Sequence, residues 1–504
     1  MFYKPEDQTL GDTWQYSDGG SVHTFFLQWR RIDDINDRES GSIGHIVSDD
    51  MLHWRELPPA LLKGERGSYD DLDLWTGSCV ERDGELFLFY TGRSSLDPNR
   101  NTICLARSNN GVDFEKYGEG PVITPDSRYY CGAENRTPLA VHSNRGADIV
   151  DCRDLMIVRD VENDCYLGYF AVRRPADECA QTSVIGLARS RDLIHWEQLP
   201  PCFTPDRYHC IETPDVFELN GKWYIICLTG NHYGQRPPVR DPNMTGCLTV
   251  YGVSDSPTGP FTAPDDNLLL GSSQLSGICA RTLLHKGHRY LFYTQSSISA
   301  EGDVRTLSYP KEISTDADGR LRLLWFDGIE SLYSATEKSF VADRALKNRG
   351  EWGSIAPTVY GEDSVTLSPT NDWALAVFDV SARNFVLEAT VRADSARSAG
   401  ITFGIEGDNV YSENRLVLFD LEEGELLISS LRKFPRSNGR RLALDRNAFR
   451  LKLLVIDTTV EVYLDDELIL HHQTDIKAGR IAFFAERGSV TFKDTILHRI
   501  GEKS

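Results

Sequence analysis

The chain has 504 residues, which is too many for a single hydrophobic core, so two or three domains are expected. Hydrophobic residues make up 40% and charged residues 26%, as is typical of a soluble globular protein. A formal net charge of −21 argues against nucleic acid or an anionic membrane as a partner, because both are bound through basic surfaces. The composition leaves the oligomeric state open.

The N-terminus and the cysteines indicate the compartment. Residues 1–7 lack the apolar stretch of a signal peptide, and no run approaches the ~18 apolar residues of a membrane span. All eleven cysteines fall between Cys79 and Cys279 without a Cys-x-x-Cys pair, which predicts reduced, mostly buried thiols and a cytoplasmic location. No cluster has zinc or EF-hand spacing, so no metal or other cofactor is expected.

A two-part pattern recurs five times before residue 330. Each copy has an apolar, aromatic run typical of a buried strand, followed about twenty residues later by a polar turn that opens on a serine. The runs begin at His23, Leu86, Tyr166, Trp223 and Tyr290, and the turns begin at Ser48, Ser108, Ser190, Ser254 and Ser314. A repeated strand unit without helical periodicity predicts a five-bladed β-propeller over residues 1–330.

A further predicted strand precedes each aromatic run by about 12–16 residues. These leading strands begin near Gly11, Trp75, Arg153, Thr213 and Ser276. The first strand of a propeller blade normally lines the central axis, so residues far apart in sequence can meet there.

The composition changes after the repeats. Residues 331–355 carry no repeat and are predicted to form a connector. From residue 356 to 504 strict alternation takes over, for example at Phe385, Leu387, Ala389 and Val391. Period-two patterning with one polar face predicts antiparallel sheets packed as a β-sandwich.

Three acidic residues lie at or just before leading strands of different blades: Asp12, Asp154 and Glu212. Each alone has a structural interpretation, as a turn residue, an ion-pair partner or a solvated loop acid. Together, converging carboxylates are what glycoside cleavage requires, one as proton donor and one as nucleophile or base. Arg153 would keep Asp154 ionised and donate to sugar hydroxyls, and Trp14 and Trp75 are aromatic platforms for sugar C–H groups.

At these residues the chain resembles glycoside hydrolase family 32, the β-fructofuranosidases of the invertase and inulinase group. Asp12 stands at the family's distance from the strand that ends in Gln28, but Gly11 and Thr13 replace the Asn and Pro that flank the family's nucleophile. The other segments similar to family motifs are Gly44–Trp54, Trp75-Thr76-Gly77-Ser78, Arg153-Asp154, Glu212-Thr213-Pro214-Asp215 and the Val455-to-Val462 hairpin.

The resemblance implies a role for each matching residue. Asp12 would be the nucleophile, Asp154 the transition-state stabiliser and Glu212 the acid/base. Gln28, Trp75, Thr76 and Arg153 would bind the substrate. The family retains anomeric configuration, which implies nucleophile and acid/base carboxyls about 5–5.5 Å apart.

The expected activity is therefore the release of a terminal β-D-fructofuranosyl unit from sucrose or fructo-oligosaccharides, with a small carbohydrate as the only predicted partner. Three alternatives stay open: fructosyl transfer to a sugar acceptor, an inverting arabinofuranosidase- or xylosidase-like hydrolase of the family 43 type, and a carbohydrate-binding propeller without catalysis.

Overall fold

A computed structural model describes residues 2–32, 35–134, 149–175, 183–208, 210–230, 247–271, 277–299, 302–338, 351–353, 358–370, 373–406, 414–431, 433–441 and 448–501. Regular structure in these ranges is strand, apart from a 3₁₀ helix at Asp327–Leu332. The predicted all-β class is confirmed. No helix in the described ranges is long and apolar enough to cross a bilayer.

The contacts divide the described residues into two compact units, one formed by residues up to 323 and one by residues from 324 onward. The strands of the first unit form five antiparallel groups of sequential strands, of which the first four are separate four-stranded sheets. The first sheet is β1 (Gln8–Ser17), β2 (Val22–Ile32), β3 (Ile35–Ser48) and β4 (Arg55–Leu62); the second is β5 (Asp73–Arg82), β6 (Glu85–Ser94), β7 (Asp97–Ser108) and β8 (Glu115–Lys116); the third is β9 (Cys152–Asp160), β10 (Cys165–Arg173), β11 (Ser183–Ser190) and β12 (Glu197–Phe203).

The fourth and fifth sheets follow in the same order. They are β13 (Glu212–Leu219), β14 (Lys222–Gly230), β15 (Cys247–Ser254) and β16 (Leu268–Gly271), and then β17 (Ile278–His285), β18 (His288–Ser299), β19 (Gly302–Leu307), β20 (Lys311–Thr315) and β21 (Leu321–Leu324). Strand β18 pairs with both β19 and β20. The five aromatic runs of the sequence form the second strands, whose side chains are buried on both faces, as at Leu88, Phe89 and Tyr90.

The serine turns close the third strands through local hydrogen bonds. The Oγ atoms of Ser48 and Ser190 accept the backbone N–H groups of Met51 and Leu193 at 2.8 and 2.9 Å. Both of these residues adopt a left-handed backbone, with φ of 64° and 66°. The predicted fifth turn at Ser314 is wrong: Ser314 lies inside β20, because the turn in that sheet follows at residues 316–319, where Asp316 accepts backbone N–H groups.

Every first strand carries the same irregularity: two of its residues face one residue of the second strand. This β-bulge lies between Leu10 and Thr13, Trp75 and Ser78, Arg153 and Met156, Glu212 and Asp215, and Ile278 and Arg281. A bulge bends the strand and redirects a side chain. The first strands also contact one another in the order β1, β5, β9, β13, β17 and back to β1.

The second unit contains two further sheets. In chain order its strands are β22 (Tyr333–Lys338), β23 (Glu351–Gly353), β24 (Thr358–Tyr360), β25 (Ser364–Leu367), β26 (Trp373–Ala382), β27 (Phe385–Ala393), β28 (Ser398–Ile405), β29 (Arg415–Asp420), β30 (Glu425–Ser430), β31 (Lys433–Arg441), β32 (Ala448–Ile456), β33 (Thr459–Leu464), β34 (Glu467–Gln473), β35 (Gly479–Glu486) and β36 (Val490–Ile500).

These two sheets share one hydrophobic core. One has the order β34-β33-β32-β27-β36-β25-β24 and the other β23-β26-β35-β28-β29-β30-β31. Alternating side chains such as Phe385 and Leu387 from the first sheet and Phe403 and Phe483 from the second are buried in this core. Within 331–355, where the sequence predicts a connector, β22 pairs with β36 and β23 with β26. This segment therefore contributes strands to both sheets.

Candidate active site

A cavity of about 1320 Å³ opens among the first strands of the first unit. All five first strands contribute to its lining, through Asp12 on β1, Thr76 on β5, Asp154 on β9, Glu212 on β13 and Ile278 on β17. The bulges lie at or directly after these positions, so the bent segments present their side chains to the cavity. The three acids singled out in the sequence are thus brought to one place.

Asp12 lies in the β1 bulge and accepts a hydrogen bond at 2.5 Å from the Thr76 hydroxyl of the neighbouring sheet. Burial raises the pKa of Asp12, and the charge of Glu212 adds to this effect. The Thr76 hydrogen bond and the charges of Arg305 and Arg281 oppose it by favouring the carboxylate. Asp12 is therefore a carboxylate whose ionisation depends on its neighbours.

Asp154 occupies the equivalent bulge of β9 with a left-handed backbone, φ 62°, which Asp tolerates better than most residues. Its backbone N–H donates to the Thr91 hydroxyl and its Oδ2 accepts from the Thr213 backbone N–H, both at 2.9 Å. Burial raises the pKa of Asp154, while the Arg153 guanidinium acts in the opposite direction. The residue is 2% exposed, and its hydrogen bonds hold it from both neighbouring sheets.

Arg153 joins the acids. Its Nη2 donates to Glu212 Oε2 at 2.9 Å, and its Nε lies 3.5 Å from Asp154 Oδ2. The same Nη2 is 3.3 Å from the Cys210 thiol, and Nη1 donates to Asp151 Oδ1. A guanidinium that contacts both acids holds their carboxylates at a defined separation and partly neutralises them.

Trp75 forms part of the cavity wall. Its Nε1–H donates to Asp73 Oδ2 at 2.8 Å, and the Arg93 guanidinium lies 4.4 Å from the centre of its ring. Arg93 Nη1 is in turn 3.7 Å from Asp73 Oδ2. The indole is therefore fixed at its edge and on one face.

Two predicted substrate-binding residues do not line the cavity. Trp14 is 2% exposed and packs on Phe25 in a core between sheets, so the predicted sugar platform is wrong at this residue. Gln28 pairs with Leu10 at the edge of the β1 bulge, and its side chain donates to Ser42 Oγ at 3.2 Å. It supports the neighbouring strand, and its amide is absent from the cavity lining.

Several charged residues that line the cavity were not singled out from the sequence: Lys63, Arg66, Arg93, Asp151, Arg173 and Arg305. Lys63 and Arg66 belong to the segment 63–72, which is anchored by the buried Asp70. The Asp70 carboxylate accepts from Tyr90 at 2.8 Å and pairs with Lys116 at 2.5 Å. Only Asp151 had a sequence signal, because residues 151 and 153 lie on the same face of an extended segment. The others belong to loops or to second and third strands.

Residues 5–235 match the family model of the glycosyl hydrolases family 32 N-terminal domain. The sucrose-6-phosphate hydrolase of Escherichia coli is 41% identical over 438 residues, which cover 84% of this chain and 78% of that protein. The probable sucrose-6-phosphate hydrolase of Psychromonas ingrahamii is 28% identical over 212 residues, 41% of this chain, and the match spans 33% of that protein.

Solved structures of similar fold extend over both units. Sucrose-6-phosphate hydrolase from Lactobacillus gasseri superimposes with a TM-score of 0.71 at 16% identity, covering 98% of this chain and 91% of that one. Exo-inulinase from Aspergillus awamori gives 0.69 at 17% identity, covering 100% and 98%. From the 41% identity over most of its length, together with the matching family model, the chain belongs to glycosyl hydrolase family 32 and is a glycosidase.

Proposed function

We propose that the protein is a retaining glycoside hydrolase that releases a terminal β-D-fructofuranosyl unit by double displacement. The observation that carries this proposal is the meeting of Asp12, Asp154 and Glu212 at one cavity, where Arg153 contacts two of them. Three carboxylates from three sheets supply the nucleophile, stabiliser and proton donor that such a reaction needs. The sucrose-6-phosphate hydrolase and exo-inulinase similarities support fructosides as the substrate class.

In the first step, an Asp12 carboxylate oxygen attacks the anomeric carbon of the fructosyl unit. The bond between that carbon and the leaving oxygen breaks, and Glu212 transfers its proton to the leaving oxygen. Positive charge develops on the ring in the transition state, and the Asp154 carboxylate stabilises it. Thr76 positions the nucleophile of this step, because its hydroxyl donates a hydrogen bond to Asp12.

In the second step, Glu212 acts as the base. It takes a proton from water, whose oxygen attacks the anomeric carbon and displaces the Asp12 carboxylate. Glu212 is then protonated again and Asp12 is free for the next cycle. Two displacements at the same carbon restore the original anomeric configuration.

Sucrose, its 6-phosphate and short fructo-oligosaccharides are the proposed substrates. Lys63 and Arg66 add cationic side chains to the lining of the cavity. Such groups attract a phosphate on the leaving sugar, whereas an uncharged sugar gains less from them. The ratio of kcat/KM for sucrose 6-phosphate to kcat/KM for sucrose measures how much these cationic groups contribute to recognition of the phosphate.

We also propose that the five sheets are the blades of a β-propeller that forms the catalytic domain and that the second unit is a β-sandwich domain. The return of first-strand contacts from β17 to β1 supports the propeller. The ten cysteines in the described residues are all free thiols, which supports a cytoplasmic enzyme.

The test is a substrate panel of sucrose, sucrose 6-phosphate, short inulin oligomers and an aryl α-L-arabinofuranoside, with Asp12→Ala and Glu212→Ala as variants. We expect turnover of fructosides only, and a loss of kcat of at least about 10³-fold in Asp12→Ala. Glu212→Ala should keep more activity on an aryl β-fructoside with a good leaving group, since that group departs without a proton.

Product stereochemistry read by NMR directly after mixing completes the experiment. β-Fructofuranose as the first product supports retention. An α-anomer as the first product contradicts the nucleophile role of Asp12 and favours an inverting hydrolase. Binding of the panel sugars without turnover by the wild type identifies a non-catalytic carbohydrate-binding protein.

A further inference from the structure

A row of alternating charges runs along one side of the cavity. Arg173 Nε donates to Asp151 Oδ2 at 2.7 Å, Asp151 Oδ1 accepts from Arg153 Nη1 at 2.5 Å, and Arg153 Nη2 donates to Glu212 Oε2 at 2.9 Å. The row thus ends on the carboxylate proposed to be the acid/base. Asp151 lies between Arg173 and Arg153 in this row and accepts hydrogen bonds from both guanidinium groups.

These groups are shielded from water. Asp151 is 4% and Arg153 8% exposed, and the Arg173 side chain is 11% exposed. In such surroundings a unit charge affects its neighbours far more strongly than it does at the surface. Adding or removing one charge in the row therefore changes the electrostatic potential at Glu212.

Asp151 also determines where Arg153 points. It holds Nη1, while Nη2 and Nε face Glu212 and Asp154, so three carboxylates surround one planar guanidinium. Asn101 donates to Asp151 Oδ1 at 3.3 Å and helps to orient that carboxylate. Without Asp151, one side of the guanidinium loses its anchor.

We propose that Asp151 is a positioning residue that, balanced by Arg173, sets how strongly Arg153 holds Glu212 in its ionised form. It thereby sets the pH above which the enzyme loses its proton donor. This inference rests on the proposed function, because it requires Glu212 to be the acid/base.

Other charged and titratable groups also face Glu212. They are Asp154 beside Arg153 on β9, Asp12 on β1, the Cys210 thiol 4.0 Å from Glu212 Oε2, and Cys247 on β15. When ionised, Asp12 and Asp154 add negative charge around Glu212, and Arg153 adds positive charge. None of these groups changes in the variants below, so a shift reports on Asp151 and Arg173.

The experiment measures kcat/KM against pH on sucrose for the full-length wild type, D151N, R173Q and the double variant D151N/R173Q. D151N removes the negative charge that offsets Arg153. The decline of kcat/KM at high pH, the basic limb of the profile, should therefore move to lower pH by roughly 0.5–1 unit. R173Q removes the positive charge that offsets Asp151, so the same limb should move to higher pH by a similar amount. The double variant leaves the net charge unchanged and should return the limb close to the wild-type position.

Two controls accompany these variants. D151E keeps the charge and should keep the limb in place. D160N changes a buried aspartate at the far end of β9, where Asp160 accepts hydrogen bonds from Asn163, and should leave the pH profile unchanged.

Equal pH profiles for wild type, D151N and R173Q, even with lower kcat, overturn the inference and leave Asp151 a structural role. If D151N fails to fold, the shift in R173Q decides alone. Failure of the proposed function gives a different result: Glu212→Ala would then retain wild-type turnover of sucrose, or the wild type would turn over no fructoside.

Discussion

Thr76 shows how a single hydroxyl acts on the proposed chemistry. Its Oγ1 lies 2.5 Å from Asp12 Oδ2, and its backbone carbonyl accepts the Thr91 hydroxyl at 2.9 Å. The same Thr91 hydroxyl accepts the backbone N–H of Asp154. One residue pair therefore links the positions of two of the three acids across neighbouring sheets.

We expect Thr76→Val to lower kcat/KM on sucrose by roughly 10–100-fold at neutral pH, the equivalent of losing a hydrogen bond to a charged group. The hydroxyl favours the ionised form of Asp12, so its removal raises the pKa of Asp12 and moves the acid limb of the pH profile to higher pH. On the acidic side, the variant then loses activity at a pH at which the wild type is still active.

Thr76→Ser is the matched control, since it keeps the hydroxyl and should keep the acid limb. An acid limb at the wild-type pH in Thr76→Val would show that the hydrogen bond does not tune Asp12.

At the scale of the element, the bulge repeated in every first strand allows these strands to turn side chains into the cavity. A regular strand would place Asp12 and Thr76 by simple alternation, but the bulge adds one residue and changes which side chains face the cavity. Tight packing accompanies it. A Cβ on Gly77 would lie 1.8 Å from the Phe89 carbonyl oxygen of the adjoining strand.

We expect Gly77→Ala to destabilise the protein by about 2–4 kcal/mol, because backbone atoms must move to accept the methyl group. Gly120→Ala is the control: no atom lies within 4 Å of its added Cβ, and the change should stay within about 0.5 kcal/mol. Urea unfolding of both variants measures the difference. A stability of Gly77→Ala equal to that of Gly120→Ala would mean that the bulge is not tightly constrained.

At the scale of the whole molecule, the start of the chain and the fifth sheet meet. The Tyr3 carbonyl accepts the Leu307 backbone N–H at 2.9 Å, and the Phe2 ring lies 4.4 Å from that of Tyr309. Further along the chain, within β1, the Gly11 carbonyl accepts the Thr294 hydroxyl at 2.6 Å, directly beside Asp12. Contacts between first and fifth sheets thus support the strand that carries the proposed nucleophile.

We expect Phe2→Ala to destabilise the first unit by about 2–4 kcal/mol, since it removes a ring that is only 9% exposed. Phe2→Leu keeps most of the volume and should cost less than about 1.5 kcal/mol. The urea midpoint for loss of sucrose turnover reports on this unit, because the cavity lies within it. Equal midpoints for Phe2→Ala and the wild type would show that this contact does not hold the first sheet to the fifth.

The sequence alone predicted the aromatic strands, most of the serine turns and the three acids that meet at the cavity. Aromatic runs such as Leu86–Tyr90 and serine turns such as Ser190–His195 are local signals, because strand burial and turn hydrogen bonds depend on neighbours in the chain. Their positions at leading strands singled out Asp12, Asp154 and Glu212, to which the resemblance then assigned roles, and the fold brings all three to one cavity.

Only the tertiary structure decided the rest of the site. Trp14 and Trp75 both begin leading strands, yet Trp14 packs in a core and Trp75 lines the cavity. Nothing in the sequence reveals a bulge or the side to which it turns a side chain. The partners of Arg153 depend on charges from other strands and loops, including Asp151, whose importance arises from distances that exist only after folding. Local patterns determine strands and turns, whereas the orientation of a side chain and its electrostatic surroundings depend on how the sheets pack together.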